Sequence, residues 1–281
     1  MKKQKGSIKT GRFEMPYRRY GDSPNMLVCV SGALQTMAIW RTVVNRFSDD
    51  FTVVVFDMPG VGRSKILSGS AHVTVDEQLE SLHALIDATH SGGELTLSGS
   101  SWGTAIAALY AARQPNAVQH LVLCSFGIKP NAALEQVVHR ATALFEARDF
   151  AGGADLILEV FGKNIGNSYK RQIVAQFKQL TGDQAESFHE HCSNILKLGR
   201  LDDEVDLSEI KARTVIVNGA DDPIVDMEDM ALAQRLIPNC ELRLIEGVGH
   251  FLHFEKPELL EEYAEFLLPD NPATSLLERS G

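Results

Sequence analysis

One serine stands in a setting that could make it a nucleophile. Ser101 lies in the pattern Gly99-Ser-Ser-Trp-Gly103, between an apolar run that predicts a strand and a small-residue run that predicts a helix. A serine in such a G-x-S-x-G turn is strained, and glycines flank it because a Cβ would collide with the neighbouring strand or helix. The helix start would aim the N–H of Trp102 at a developing oxyanion. The pattern therefore predicts nucleophilic serine chemistry at an acyl carbonyl.

A serine hydroxyl is a poor nucleophile at neutral pH and needs a base and an orienting acid. Two later strand ends supply candidates. Asp222 follows the apolar run Thr214–Val217, and His250 follows the run Leu242–Ile245 in a glycine-rich turn. Because successive side chains of an extended segment face opposite sides, only one of the adjacent acids can face the imidazole. We predict Asp222 as the acid, with Asp221 as the alternative and a capping or turn role for the other.

The second oxyanion donor is expected in the loop after the first central strand, where the chain reads Ser31-Gly-Ala-Leu34. A glycine there lets the backbone turn its amides inward, so the N–H of Ala33 is the candidate and that of Leu34 the alternative. An ordinary turn is the competing interpretation. For contact with an acyl substrate we expect four apolar side chains, namely Leu34, Phe126, Phe161 and Phe251.

Three further features predict less chemistry. The cluster His189-Glu-His-Cys192 resembles a metal site, but residues i and i+2 of a helix point to different faces, so we predict no metal and no cofactor. Gly60-Val-Gly62 lacks the third glycine of a phosphate loop and predicts a tight turn. His253 is expected to be packed, although it lies three residues from His250 and could tune it or line the pocket.

Six short apolar or β-branched runs, separated by helix-length segments, must position these residues. This alternation predicts an α/β fold with a mostly parallel central sheet flanked by helices. The clearest helix runs from Thr74 to Thr89 behind a Thr74-x-x-Glu77 capping box. Further helices are predicted at 105–112 and 257–268. The predicted strands are Met26–Val30, Thr52–Phe56, Glu94–Leu97, His120–Cys124, Thr214–Val217 and Leu242–Ile245.

The alternation stops in the interval 130–212, which shows helical patterning, as at 134–147 and 185–198, without a convincing strand. We predict a helical lid at 130–212, inserted into a core formed by residues 1–129 and 213–281. The lid is rich in apolar side chains, such as those at 156–158 and 160–161, that could enclose an acyl chain and exclude water. Packing of the lid on the core is the simpler role for most of them. The tail at 272–281 is expected to be loose.

Composition excludes several classes of protein. With 44% hydrophobic and 23% charged residues, the chain of 281 residues can form a large core, and its charge is too little biased for a disordered chain. A net charge of −10 argues against general binding to nucleic acid or to anionic membranes. The four cysteines form no CxxC pair, and no apolar run is long enough to span a membrane or to form a signal sequence. These features predict a soluble cytoplasmic protein.

Four segments resemble landmarks of the α/β-hydrolase superfamily. They are Asp57-Met-Pro-Gly-Val-Gly-Arg-Ser64, the serine turn, Gly219-x-x-Asp222, and Gly249-His-x-x-His-x-Glu-x-Pro257. The order serine, aspartate, histidine is also the one that this superfamily uses. The resemblance implies the same fold and a catalytic triad of Ser101, Asp222 and His250.

Within that superfamily the chain is most similar to the bacterial group of hydroxyacyloxy-alkanoate synthases and 3-hydroxyacyl-carrier-protein:CoA transacylases. Thr104 stands where this group tends to carry a second glycine. The segments that carry the likeness are Ser31-Gly-Ala-Leu-Gln-Thr36, Ser98-x-Ser-Ser-Trp-Gly103, Asn218-Gly, Glu228-Asp229, Glu246-Gly-Val-Gly-His-Phe-Leu252 and, in the lid, Phe161-Gly-Lys163, Leu180-Thr-Gly182 and Phe188-His189.

The resemblance implies acyl transfer through a serine-bound acyl-enzyme, most closely that of a 3-hydroxyacyl transferase or synthase that uses acyl carrier protein or CoA thioesters. A carboxylesterase or thioesterase is the alternative, because a few pocket residues decide whether water or another acceptor resolves the acyl-enzyme. A non-catalytic binding protein on the same fold is the second alternative.

Charge is unevenly distributed along the chain. The segment 221–270 holds 13 acidic and 3 basic residues, a net of −10, so the rest of the chain is neutral overall. A solvated helix face is the simplest interpretation of a basic stretch within the lid. The alternative hypothesis is that this stretch binds an acidic carrier protein or the phosphates of CoA. Its basic residues are Lys163, Lys170, Arg171 and Lys178, with no acidic residue between Lys163 and Leu180.

Overall fold

The computed structural model describes residues 2–268, and within them nine strands form one sheet. The predicted loose tail at 272–281 lies outside the described residues. Three of the predicted strands have their predicted bounds, and the α/β class is confirmed. The strands are β1 (Lys3–Thr10), β2 (Phe13–Tyr20), β3 (Met26–Val30), β4 (Thr52–Phe56), β5 (Lys65–Ile66), β6 (Leu95–Ser100), β7 (His120–Cys124), β8 (Arg213–Gly219) and β9 (Cys240–Ile245).

The sheet is antiparallel at one edge and parallel elsewhere. Its order is β1-β2-β4-β3-β6-β7-β8-β9, and the short β5 pairs with β2. The pairs β1–β2, β2–β4 and β2–β5 are antiparallel, whereas every pair from β4 to β9 along this order is parallel. The carboxyl ends of the parallel strands therefore meet at one edge of the sheet, where ligands bind in open α/β sheets.

Helices cover both faces of the sheet and fill the connection between β7 and β8. The capping box predicted at Thr74 is confirmed, because its hydroxyl accepts from the N–H of Glu77 and the Glu77 carboxylate accepts from the N–H of Thr74. The helices are α1 (Arg41–Phe47), α2 (Val75–Thr89), α3 (Trp102–Arg113), α4 (Ala132–Glu146), α5 (Phe150–Phe161), α6 (Asn167–Lys178), α7 (Gly182–Leu198), α8 (Leu201–Glu204), α9 (Met227–Leu236), α10 (Leu252–Glu255) and α11 (Leu259–Leu267).

Alternation along the inner strands divides the apolar core in two. Val28 and Val54 pack on the face that α2 and α3 cover, while Leu27 and Val53 pack on the face that α1 and α11 cover. Helix α3 lies very close to the sheet because its buried residues, from Gly103 to Ala112, are mostly small. Burial of both sheet faces explains why these strands are continuous apolar runs in the sequence.

A third apolar cluster forms between β7 and β8, where α4 to α7 lie. Phe145, Phe177 and Phe188 are its central rings, with centroid separations from Phe145 of 6.1 Å and 4.6 Å respectively. Apolar residues from the end of the predicted lid, Leu201, Leu207, Ile210 and Ala212, pack instead into the core cluster beside α3. The structure thus places α4 to α7 as a layer with apolar packing of its own.

Two other findings concern the whole described chain. Cys29, Cys124, Cys192 and Cys240 are all free thiols. Among residues 2–268, none of the helices is both apolar enough and long enough to cross a bilayer.

Candidate active site

Ser101 occupies the sharp turn between β6 and α3. Its backbone has φ 52° and ψ −124°, a strained conformation for a residue with a side chain. A Cβ on Gly99 would lie 2.6 Å from the carbonyl oxygen of Gly103, and one on Gly103 would strike the carbonyl oxygen of Val30. Both glycines are therefore required for β6, β3 and α3 to approach each other closely. The turn is held by the Ser101 N–H, which donates to the Cys124 carbonyl at 2.9 Å.

His250 connects this serine to an acid. Its Nε2 lies 3.0 Å from Ser101 Oγ, and its Nδ1 lies 2.7 Å from Asp222 Oδ2. The side chains of His250 and Asp222 are 5% and 0% exposed. Asp221, the alternative acid, is exposed. The structure thus brings together Ser101, His250 and Asp222, and it leaves Asp221 outside the hydrogen-bonded chain.

The loops that carry Asp222 and His250 are in direct contact. A Cβ on Gly219 would strike the carbonyl oxygen of Val248. Only glycine at position 219 therefore allows the end of β8 to contact the loop after β9. The second Asp222 oxygen accepts from the N–H of Ile224 at 3.1 Å, which holds its carboxylate in place.

Two residues that sequence reasoning did not assign hold the backbone around His250. The carboxylate of Glu255 accepts from the N–H of Gly249 at 2.7 Å and from the N–H of Phe251 at 3.0 Å. The Ser125 hydroxyl donates to the His250 carbonyl at 2.8 Å. The position of Glu255 within the Gly249–Pro257 motif, close to His250, is the sequence feature that could have indicated its role. Ser125 carried no local signal, since it is 125 residues from its partner.

The two predicted oxyanion donors lie beside the serine. Ala33 and Trp102 line the same cavity as Ser101, and within residues 2–268 neither amide donates to a protein acceptor. A Cβ on Gly32 would lie 3.0 Å from the Cβ of Ser101, so the loop after β3 reaches the serine closely. Gln35 holds this loop, because its Oε1 accepts from the N–H of Gly32 at 2.8 Å.

Thr104, where the chain differs from the group that it resembles, is part of this turn. Its hydroxyl donates to the carbonyl of Ser101 at 2.5 Å, and the residue lines the cavity. A glycine could not make this contact. The threonine side chain also occupies space that a glycine would leave to the substrate.

An apolar cavity of about 210 Å³ opens above Ser101. Helices α4 to α7 form its walls. Most of its lining is aliphatic and aromatic and only a few residues, such as Thr104, Lys129 and Gln176, are polar, as expected of a pocket for an apolar group. The wall residues from these helices are Leu134, Val137, Val138, Ala141, Ile157, Phe161, Ile173, Gln176, Phe177, Phe188, Cys192, Ile195 and Leu198.

Three of the four residues predicted to contact substrate line this cavity: Leu34, Phe161 and Phe251. Phe161 also packs on His250, with ring centroids 4.6 Å apart. The fourth, Phe126, does not line the cavity and is 0% exposed. Asn218 fixes its backbone by accepting from its N–H and donating to its carbonyl, both at 2.8 Å, and its ring packs in the core. The prediction for Phe126 was wrong because the chain turns just after β7.

The predicted basic residues do not approach the triad. Lys163, Arg171 and Lys178 are exposed and Lys170 is half-buried, and none of the four lines the cavity. Lys163 lies in the turn before α6, and the other three lie on α6 itself.

Two histidines outside the triad, His191 and His253, are packed. Burial lowers the pKa of both His191 and His253 to about 4. His191 lies edge-on to Trp102 with centroids 4.7 Å apart, and His253 packs on Phe254 at 4.5 Å. Among residues 2–268 no group of three or more potential ligands is arranged to hold a metal ion.

Comparison with known proteins places this geometry in context. A family model described as alpha/beta hydrolase fold matches residues 25–164 and 158–257. The chain is 23% identical over 260 residues to the (R)-3-hydroxydecanoyl-ACP:CoA transacylase of Pseudomonas aeruginosa, covering 92% of this chain and 86% of the relative. It is 24% identical to the (E)-2-((N-methylformamido)methylene)succinate hydrolase of Acinetobacter baylyi, covering 88% of this chain and 91% of that one.

The fold recurs in solved structures. The crystal structure of MGS-M2, an alpha/beta hydrolase enzyme from a deep-sea metagenome library of the Medee basin, superposes with a TM-score of 0.81 at 18% identity. The alignment covers 95% of this chain and 98% of that one. Together with a family match that spans most of the described residues, and with enzymes among the relatives, this shows that the chain is an enzyme that belongs to the α/β-hydrolase family.

Proposed function

We propose that the protein is an acyltransferase that works through an acyl-enzyme on Ser101 and transfers 3-hydroxyacyl groups from thioesters. One observation carries the chemistry: Ser101 Oγ, 3.0 Å from His250 Nε2, lies at the base of an apolar cavity. The choice of 3-hydroxyacyl thioesters rests on the transacylase relatives, which match over most of both chains.

In the first half of the reaction, His250 Nε2 accepts the proton of Ser101 Oγ while Oγ forms a bond to the acyl carbonyl carbon. The amides of Ala33 and Trp102 stabilise the oxyanion, at about 3 kcal/mol per donor. The intermediate then collapses, the bond from carbon to the thiol sulfur breaks, and His250 returns the proton to the leaving sulfur. Asp222 holds the imidazole in the required tautomer and stabilises its cation.

In the second half, an acceptor replaces the thiol. A hydroxyl or thiol gives up its proton to His250 and attacks the acyl-enzyme carbonyl. The bond from the acyl carbon to Ser101 Oγ then breaks, His250 returns the proton to Oγ, and the acyl group leaves as a new ester or thioester. Water in the same place would give a free acid. Apolar walls from α4 to α7 favour the first outcome, because they limit the space available to water beside the acyl chain.

The test is to incubate the protein with a 3-hydroxyacyl carrier-protein thioester and, separately, with simple acyl esters, with CoA or a hydroxy acid as the acceptor. Mass spectrometry then identifies the products and any adduct on the peptide that contains Ser101. We expect a transferred acyl thioester or a hydroxy ester. Free acid alone would overturn the transferase and leave a thioesterase or carboxylesterase. A protein that forms no acyl adduct with any donor would be a non-catalytic binder.

We further propose that the basic residues of α6 contact an acidic donor, either a carrier protein or the phosphates of CoA. Lys170 and Arg171 are the residues to reverse in charge. Their replacement by glutamate should raise KM for carrier-bound substrates but not for small neutral esters. Equal effects on both substrates would refute this docking role. The free thiols fit a reducing compartment, and we propose a cytoplasmic location.

A further inference from the structure

A second cavity of about 370 Å³ lies on the other side of helix α6 from the acyl cavity. The two cavities share Leu34 and Gln176, so they adjoin beside the predicted oxyanion loop. We call the second one the amide groove. It is lined by Leu34, Thr36, Gly60, Val61, Gly62, Arg63, Gln172, Ala175, Gln176, Gln179, Leu180 and Gln184.

Glutamine amides dominate the polar lining of the amide groove. Gln176 donates to the carbonyl of Leu34, and Gln184 donates to the carbonyl of Gly62 at 2.6 Å, so these two support the walls. Gln172 and Gln179 are exposed, and within residues 2–268 their side-chain amides have no hydrogen-bond partner. Each of these free amides can both donate to and accept from a ligand.

One cation and no acid lines the amide groove. Arg63 is exposed, and its guanidinium forms no salt bridge within residues 2–268. Its backbone is fixed, because the N–H of Arg63 donates to Asp57 Oδ2 at 2.9 Å. A guanidinium that forms no salt bridge is suited to binding a phosphate, and within the described chain the charge of Arg63 acts only through its attraction to the buried Asp57 carboxylate.

Helix α6 is the wall between the two cavities. Ile173 and Phe177 face the acyl cavity, while Gln172, Ala175 and Gln179 face the amide groove, as the helical repeat of 3.6 residues requires. Gln176 faces both. A ligand with an apolar chain in one cavity and a polar arm in the other would cross beside Leu34, next to the oxyanion loop and Ser101.

We infer that the amide groove binds the phosphopantetheine arm of the thioester donor, with the arm's two amide groups on Gln172 and Gln179 and its phosphate on Arg63. This inference rests on the proposed function. The arm carries the acyl chain on its sulfur, two secondary amides in its middle and a phosphate at its far end. That order matches the acyl cavity, the free glutamines and the arginine. The volume of the groove also lies within the usual range of ligand pockets, about 300–1,000 Å³.

The experiment compares one acyl group on two leaving groups, as its phosphopantetheine thioester and as its p-nitrophenyl ester. The variants are the double substitution Gln172→Leu/Gln179→Leu and, separately, Arg63→Gln. The control is Gln136→Leu, because Gln136 is an exposed glutamine on α4 that lines neither cavity. We expect the ratio of kcat/KM for thioester to that for ester to fall about tenfold in the double variant and in Arg63→Gln, and not in the control.

Direct binding makes the test independent of turnover. Isothermal titration should show pantetheine 4′-phosphate binding about tenfold more weakly to Arg63→Gln than to the wild type, whereas dephosphorylated pantetheine should bind both equally. A groove that binds neither compound, or variants that change thioester and ester turnover equally, would overturn the inference. If an acyl adduct on Ser101 still forms in those cases, the proposed function survives and only the groove assignment fails.

The same variants also test which molecule presents the arm. CoA and a holo-carrier protein present the same arm, and CoA adds a nucleotide with further phosphates. If both compete with the ester substrate and both weaken in Arg63→Gln, the groove recognises the shared arm, as we infer. If competition by CoA survives the variants in full, its nucleotide binds elsewhere and the groove is not the site of the arm.

Discussion

The triad and the substrate cavity are held in different ways. Ser101, Asp222 and His250 follow the ends of three sheet strands, and their positions depend on close backbone contacts that only glycine allows and on buried hydrogen bonds. The cavity walls, by contrast, are side chains of α4 to α7 that pack on one another. A change beside the triad should therefore alter the rate for every substrate, while a change in the walls should alter the preference between substrates.

The helices above the cavity also contact the core through few polar bonds. Asn194 donates to the carbonyl of Val73 at 2.6 Å, and His72 Nδ1 lies 3.1 Å from a Glu190 oxygen. Further bonds of this kind, from Gln176 and Gln184, hold walls of the amide groove, and Asn131, which caps α4, donates to the carbonyl of Pro223 at 3.1 Å. Apart from Phe161, which packs on His250, residues of these helices can therefore diverge in sequence without disturbing the triad below them.

The largest effect should come from Ser101→Ala. Loss of the nucleophile should lower kcat by about 10⁴-fold or more, whatever the substrate, and abolish labelling by a fluorophosphonate probe. Ser100→Ala is the matched control, since it changes the neighbouring serine in the same turn. Equal labelling of the wild type and Ser101→Ala would show that another residue is the nucleophile. The contrast between a rate set at Ser101 and a preference set by the cavity walls would then no longer hold.

Asp222→Asn should have the next largest effect. The variant keeps the shape but loses the charge and the correct tautomer of His250, which should lower kcat by about 10⁴-fold. The control is Asp221→Asn, on the exposed neighbour, which should change kcat by less than about threefold, as for a surface substitution. Steady-state kinetics on one small ester suffices. A large loss in Asp221→Asn with a small one in Asp222→Asn would reverse the assignment of the acid.

The inner sheet could be predicted from the sequence better than its edge. Strands β3, β4 and β7 have their predicted bounds because strands buried on both faces are continuous apolar runs. Strand β1 was missed because most of its residues are exposed and lysine-rich, and β2 because most of its residues are only half-buried, so neither forms such a run. Helix α5 was not separated from its neighbours because Gly152 and Gly153 interrupt its pattern.

For the site, local patterns succeeded where geometry is local. The turn around Ser101 is recognisable from Gly99 and Gly103, which lie two positions from it, although its partners Cys124 and Val30 are distant in sequence. Ser125 and Phe126 show the opposite case. Their roles depend on His250 and on Asn218, which lie 125 and 92 residues away, and nothing in the sequence near them indicates those partners.

A buried histidine of the core should make stability depend on pH. Burial lowers the pKa of His253 in the folded protein to about 4 from its ordinary value of 6.5. Between these two pH values His253 is therefore protonated in the unfolded chain and neutral in the folded protein. The contribution of His253 to stability should be full above pH 6.5 and fall by up to about 3 kcal/mol as pH drops towards 4.

Urea unfolding at several pH values measures this slope. His253→Phe should reduce the slope by the contribution of one histidine, because His191, whose pKa is also lowered to about 4, keeps its own. His139→Phe, at an exposed position of α4, should leave the slope as in the wild type. An unchanged slope in His253→Phe would show that the core does not hold this histidine neutral.

Glu255→Gln should weaken the support of His250. Glutamine keeps one acceptor oxygen and loses the other, so one of the amides of Gly249 and Phe251 is left without a partner, at a cost of about 1–3 kcal/mol. We expect kcat to fall about tenfold with little change in KM, because His250 is displaced while the cavity is intact. Glu258→Gln is the control, since that residue is exposed. A lower melting temperature with an unchanged kcat would indicate a structural role alone.

The smallest effect should come from a substitution in the cavity walls. It should appear as a change in the ratio of kcat/KM for a long-chain ester to kcat/KM for the acetyl ester. Ile195 lines the cavity from α7 and is half-buried, so Ile195→Trp adds volume where a long acyl chain would extend and leaves the triad untouched. Each methylene that a pocket accepts or rejects is worth about 1–3 kcal/mol, so kcat/KM for a long-chain ester relative to the acetyl ester should fall about tenfold.

Val160→Trp is the control for Ile195→Trp, because Val160 is a half-buried residue of α5 that does not line the cavity. If Ile195→Trp lowers turnover of the acetyl ester as much as that of the long-chain ester, the added ring acts on the triad as well as on the walls. The separation between a core that sets the rate and helices that set the preference would then fail. A ratio that falls only in Ile195→Trp requires that the acyl chain lies between α4 and α7, since that is the space that the ring removes.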